Sequence, residues 1–261
     1  MSQFAAGTFT PAPGRGKLPK MLLTHAKVEA SLTLRHGEQT LLTLLIPLAL
    51  LVGLSLLNIL PTGDIGALSR VDWVTPRILA LAVMSSAFTG QAIALGFDRR
   101  YGVLKRLSAT ALPRWLLVAG RLAAALVVVA LQAVVLSVVA AFLGWTPSGG
   151  GIAAAVVLLV AGTLAFGSLG VLLGGSLRAE AVLALANIVW FVLLLAGGIL
   201  LAPSALPSGV AVVVELLPSG ALAEGLRAAL VDGSFAWGPI GVLLGWAVVA
   251  GGLASKTTRL T

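Results

Sequence analysis

The feature that most constrains this chain is the length of its uncharged apolar runs. Residues 152–176 contain no charge at all, and residues 115–143 contain only Arg121. A helix needs about 20 such residues to cross the hydrocarbon core of a bilayer, whereas soluble helices carry narrower apolar stripes. No strand-type alternation accompanies the runs, so helices and not a barrel are expected. Composition agrees: 59% of the 261 residues are hydrophobic, and nine acids with seventeen bases cannot cover a soluble surface of that size. The expected fold is therefore an all-α integral membrane protein.

Six spans are expected, at roughly 41–60, 76–96, 115–143, 152–176, 181–202 and 237–254. Residues 1–17 read as a flexible tail, and 255–261 as a second one. Residues 1–39 are polar and basic without an apolar core, so no secretory signal peptide is expected. Residues 18–39 mix Leu and Val with Lys, Glu, Arg and His and suggest an amphipathic helix on the membrane surface; Val28, Ala30, Leu32 and Leu34 also fit a period of two. Between the fifth and sixth spans, about 205–233, apolar pieces too short to span are broken by Pro207, Glu215 and Pro218. A pair of short re-entrant helices on the extracellular face is expected there, inside a transmembrane domain covering 40–254.

The formal charge of +8 suggests membrane orientation better than nucleic-acid binding. An inside N-terminus puts Arg15, Lys17, Lys20, Lys27, Arg35, the bases of 97–114, Arg178, Lys256 and Arg259 in the cytoplasm. Only Arg70, Arg77 and Arg227 remain outside, with Asp64, Asp72, Glu215, Glu224 and Asp232. The positive-inside rule selects this orientation, with both termini cytoplasmic. Arg121 is close enough to the surface to snorkel.

Charge is densest in "FDRRYGVLKRLSATALPR" (97–114). Drawn as a helix, 97–112 places Phe97, Tyr101, Leu104, Leu107, Ala111 and Leu112 on one side. Asp98, Arg99, Gly102, Lys105, Arg106 and Thr110 fall on the other, and Arg100 intrudes on the apolar face. The bases alone would serve as a topological anchor on anionic lipid. Gly102 on the polar face suits a second role, the close approach of a cytosolic partner, because glycine costs about 1 kcal/mol within a helix and a lipid anchor gains nothing from it.

The same stretch resembles the cytoplasmic loop of ABC-2 type exporter permeases, a class that includes drug-efflux subunits similar to the daunorubicin-resistance permease. The family pattern is an acid, basic residues, Gly-Thr/Val-Leu, Lys/Arg, Leu, then Ala-Thr-Pro. Asp98 stands where Glu is usual, and Gly102, Leu104, Lys105, Arg106, Leu107, Ala109 and Thr110 match; Ala111 departs from the usual Pro, with Pro113 two residues on. Residues 28–48 resemble the helix leading into the family's first span, and 217–230 its last extracellular segment. The likeness covers about 20–255. It implies a coupling helix, with Asp98, Arg99, Arg100, Tyr101, Gly102, Lys105 and Arg106 docking an ATP-binding subunit and Glu38 giving a second contact. It also implies two such subunits per complex, ATP and Mg held by them, and a second copy or a different permease completing the pathway. The expected location is a bacterial plasma membrane.

This chain has no P-loop: "GRGKL" (14–18) lacks the preceding Gly and the following Ser/Thr. It is therefore expected to be a transport subunit with no catalytic residue and no cofactor or metal of its own. An ion-coupled secondary carrier is the main alternative, but it usually needs an acid in the bilayer core, and none lies inside the expected spans. A non-transporting scaffold stays open. A lipid-modifying enzyme is disfavoured because the basic clusters lack acids to hold a metal, and without cysteine there is no thiol chemistry. Gln91, Gln132 and Asn187 are the deepest polar residues, suited to interhelical hydrogen bonds or to substrate contact, and Glu215 is a further candidate on the path. "GVLLG" occurs twice, at 170–174 and 241–245, with the GxxxG spacing that permits close helix contact. His25 and His36 do not face each other across the bilayer and suggest no haem. An uncharged lining fits drugs, lipids or lipid-linked glycans alike.

Overall fold

The structure, a computed structural model, describes residues 16–35, 37–57, 68–108, 113–200, 203 and 206–257. Among these residues the regular structure is all helical, with no strand. Helices α1 (Leu18–Arg35) and α2 (Gly37–Leu56) lead into the bundle. A continuous rod follows, built from α3 (Arg70–Val83), a π-helical turn (Met84–Gly90) and α4 (Gln91–Arg100). Then come α5 (Val103–Ser108), α6 (Arg114–Phe142), α7 (Ile152–Ser176), α8 (Ala179–Ala196), α9 (Ser208–Leu216), α10 (Pro218–Leu230) and α11 (Trp237–Thr257).

Five of the described helical segments are long and apolar enough to cross a membrane, and six are if α9 and α10 count as one broken span. The apolar part of α2 described here is Thr43–Leu56. The expected end of that span at 58–60, with Pro61 and Asp64, lies outside the described residues, as do the tails 1–15 and 258–261 and His36. The period-two pattern at 28–34 is resolved as helix α1.

The rod 70–100 is the hub of the bundle. Ser69 caps it, its Oγ accepting from the Asp72 N–H (3.2 Å), and every residue from Trp73 to Phe88 is buried. It is longer at both ends than the expected span 76–96. Arg77, expected in the outer connection, sits inside the helix, and Phe97 to Arg100 form its final turn.

Helix α7 crosses the rod by backbone contact. A Cβ at Gly170 would lie 2.7 Å from the Phe88 carbonyl oxygen, and one at Gly174 2.5 Å from that of Ala92, so only glycine allows this approach. The first GVLLG copy is thus a packing seam. In the second copy, Gly241 and Gly245 meet nothing of this chain within 4 Å.

The short pair expected at about 205–233 is present as α9 and α10, which meet at 91°. Leu217 is extended (φ −73°, ψ 146°) and Pro218 opens α10, as expected of a residue before proline and of proline at a helix start. Helix α10 is sunk into the bundle, with Ala221, Leu222, Ala223, Leu226 and Ala229 buried, while most of α9 is exposed.

Candidate functional site

At one end of the bundle the rod, the starts of α6 and α8 and the ends of α7 and α11 come together. The single amphipathic helix expected over about 97–112 is not what the chain forms there. Helix α4 runs through Arg100 and stops at Tyr101–Gly102, where Gly102 takes φ +69°, and α5 restarts at Val103. The Gly102 N–H donates to the Arg99 carbonyl (3.1 Å), and the Gly102 carbonyl accepts from the Arg106 N–H (3.2 Å). The left-handed conformation itself favours glycine here. A Cβ at this position would meet nothing within 4 Å, so the turn is also open to an outside approach. Residues 109–112 of the expected helix lie outside the described residues.

Helix α5 is fastened to the bundle rather than floating on it. Leu104 is buried in a small apolar cluster with Leu95 of α4, Val171 of α7 and Ala254 of α11, and Leu107 packs against the same cluster. Tyr101 (66% exposed), Lys105 and Arg106 face outward. Tyr101 stacks on Phe97 with ring centroids 6.1 Å apart, and the Tyr101 carbonyl accepts from Arg106 Nη2 (3.3 Å). This small basic knob is seated on α4, α7 and α11.

The remaining charged candidates are engaged within the chain. Asp98 accepts a hydrogen bond from Arg121 Nη2. Arg99 donates through Nη1 to the carbonyls of Gly174 (3.2 Å) and Leu177 (3.0 Å), satisfying carbonyls at the end of α7. Arg100 pairs with Glu180 at the start of α8. Arg121, expected to snorkel, is instead only 5% exposed: Asp98 accepts from it, and Glu29 of α1 lies at 3.9 Å, so its charge is met inside the bundle.

Sequence reasoning did not single out Glu29, and it considered His25 only as a haem ligand to be set aside. They lie on the face of α1 that packs lengthwise along α6, where Gly120 leaves room for the imidazole. Leu23 and Val28 of α1 are exposed, and Leu32 is half-exposed at the edge of a cleft between α1 and the rod. The acid and histidine recurring at i and i+4 on a leucine-rich helix were the only signal.

Gln132 does bridge helices: its Oε1 accepts from Ser86 Oγ of the π turn (2.7 Å), and its Nε2 donates to Thr43 Oγ1 of α2 (3.5 Å). Asn187 does not; it is exposed, and its amide donates back to Leu183 of its own helix (2.8 Å). Glu215 is exposed on α9. Gln91 is 8% exposed and no hydrogen bond engages its amide among the described residues. Glu38 belongs to α2, and its side chain lies outside the described residues.

The opposite end carries a polar network. Arg77, 2% exposed, lies 4.0 Å over the Trp73 ring and donates to the Trp73 carbonyl and to Glu224 Oε1, both at 3.0 Å. Glu224 Oε2 accepts from Arg227 Nε (2.7 Å), whose Nη1 donates to Asp232 (3.0 Å). Asp72 accepts from the Thr146 N–H (3.0 Å), tying the loop after α6 to the rod.

Compared with known proteins, the chain is matched over residues 22–231 by a family model described as ABC-2 type transporter. No curated protein matches it.

Proposed function

Because this chain belongs to the ABC-2 type transporter family, and is a membrane-spanning permease subunit of that type, we propose that it works in an ATP-driven exporter. Two separate ATP-binding subunits, holding ATP and Mg, dock on the basic knob. Tyr101, Gly102, Lys105 and Arg106 make the contact, and Glu38 adds a second one. Asp98, Arg99 and Arg100 act behind that surface by fixing the knob to α6, α7 and α8. Movement of α5 is transmitted through Leu104 to α4, α7 and α11 at once. A second copy, or a different permease, completes a pathway for a hydrophobic or amphipathic substrate. The chain sits in a bacterial plasma membrane with the basic end and both termini cytoplasmic, as the positive-inside rule requires.

The observation that carries this reading is the family match over 22–231, which spans α5 and the turn before it. The acids of the rod support export by ATP over ion coupling: Asp72 lies in its first turn and Asp98 in its last, each with a partner, and neither reaches the middle.

Co-purification from native membranes tests the proposal. The tagged chain should retain a protein with Walker motifs. Gly102→Ala and Gly102→Trp carry the same backbone penalty of about 1–2 kcal/mol for a positive φ, but only Trp adds bulk to the open side. Loss of the partner should therefore be far greater with Trp. Equal retention by both variants would refute docking at the turn.

A further inference from the structure

Behind the knob a cleft of 570 Å³ opens between α1 and α2 on one side and the rod and α6 on the other. Its volume is that of a small-molecule site. Glu29, Asp98 and Arg121 line it, with Phe97 and Tyr101 among the residues of the same wall. Deeper lie Ser86 and Gln91, and the apolar part of the wall includes Leu32, Ile93 and Val128.

We propose that this cleft binds an amphiphile with a protonated amine head, the ammonium lodging against Glu29 and the aromatic pair and the tail running along Leu32, Ile93 and Val128. The charge balance gives the sign. Two carboxylates face one guanidinium, and Asp98 takes up Arg121. Glu29 is left weakly held, its Oε1 3.8 Å from His25 Nε2 and 3.9 Å from Arg121, both beyond hydrogen-bond reach. With histidine counted as neutral, the site keeps one net negative charge at the otherwise basic end of the bundle. An anion would have to displace Asp98 from Arg121. A metal ion lacks a ligand set, since no group of three or more His, Asp or Glu able to hold one is present among the described residues. Aromatic faces beside carboxylates suit an ammonium. The Gln91 amide, open to the cleft and without a hydrogen bond among the described residues, supplies a hydrogen-bonding group along the tail path. The inference rests on the permease reading for its use as a transport site, but not for binding.

The test is retention of tritiated decylamine by the full chain in lipid nanodiscs, measured against empty nanodiscs. Binding should saturate and be displaced by unlabelled decylamine but not by decanol or decanoate. Glu29→Gln should weaken it by about thirtyfold. Ala94→Phe, which fills the cleft and leaves every charge in place, should weaken it comparably. Displacement by decanol as effective as by decylamine, or full affinity in either variant, would overturn the proposal. Co-purification of an ATP-binding chain is scored on the same preparations. Amine binding without that partner would remove the permease reading and leave the site; the partner without Glu29-dependent binding would remove the site alone.

Discussion

The two ends of the bundle use the same device for different purposes. Each buries an arginine of a long helix against a carboxylate far away in sequence: Arg77 with Glu224, and Arg121 with Asp98. At the Arg77 end the network closes on itself through Arg227 and Asp232, and Asp72 holds the loop after α6. That end is a lock on α3, α10 and the loops. At the Arg121 end the internal pairs leave Tyr101, Lys105 and Arg106 facing outward and Glu29 facing a cleft. The difference teaches that charge density alone does not mark a docking surface. What marks it is the charge that still faces outward on the folded surface.

Substitutions can break this contrast, starting with the largest effect. Arg77→Ala removes the Glu224 Oε1 hydrogen bond and the packing over Trp73 while Arg227 still compensates Glu224, and breaking this buried network should cost about 2–4 kcal/mol. A large fall in the melting temperature of the detergent-purified chain is expected. An unchanged melting temperature would show that the network at that end is ornamental.

The two GVLLG copies give the next test. Gly170→Leu overpacks the seam against Phe88 and should cost about 1–3 kcal/mol or more, whereas Gly245→Leu meets nothing within the chain and should leave its melting temperature unchanged. Equal effects would contradict the packing described for α7. The smallest effect belongs to Glu180→Ala. The Arg100–Glu180 pair is exposed, with side chains 51% and 65% accessible, and such pairs contribute about 0–1 kcal/mol. A large loss of stability there would mean that the basic end is locked as the other end is.

How far the sequence can be read follows the range of the interactions. The helices were legible because apolar runs are local, and the break at 217–218 because proline dictates it. The end of the rod was not. Phe97–Arg100 looked like part of a charged surface helix, but their partners lie on α6, α7 and α8, as much as 80 residues away. Arg77 was misplaced for the same reason, since only Glu224 and Trp73 make its burial tolerable. The π turn left no pattern that periodicity detects. Gly102 was expected on the polar face of one continuous helix; its backbone role as the break between α4 and α5, with φ +69°, became visible only in three dimensions.

The most direct measurement of the central claim uses the absence of native cysteine. A single cysteine is introduced at Tyr101 or at Asp232, labelled with a photo-crosslinker in native membranes, and the adducts are identified by mass spectrometry. The account predicts an adduct with a Walker-motif protein from position 101 and none from 232. An ATP-binding chain captured from 232, or from neither position although it co-purifies, would contradict the assignment of the basic end as the docking end.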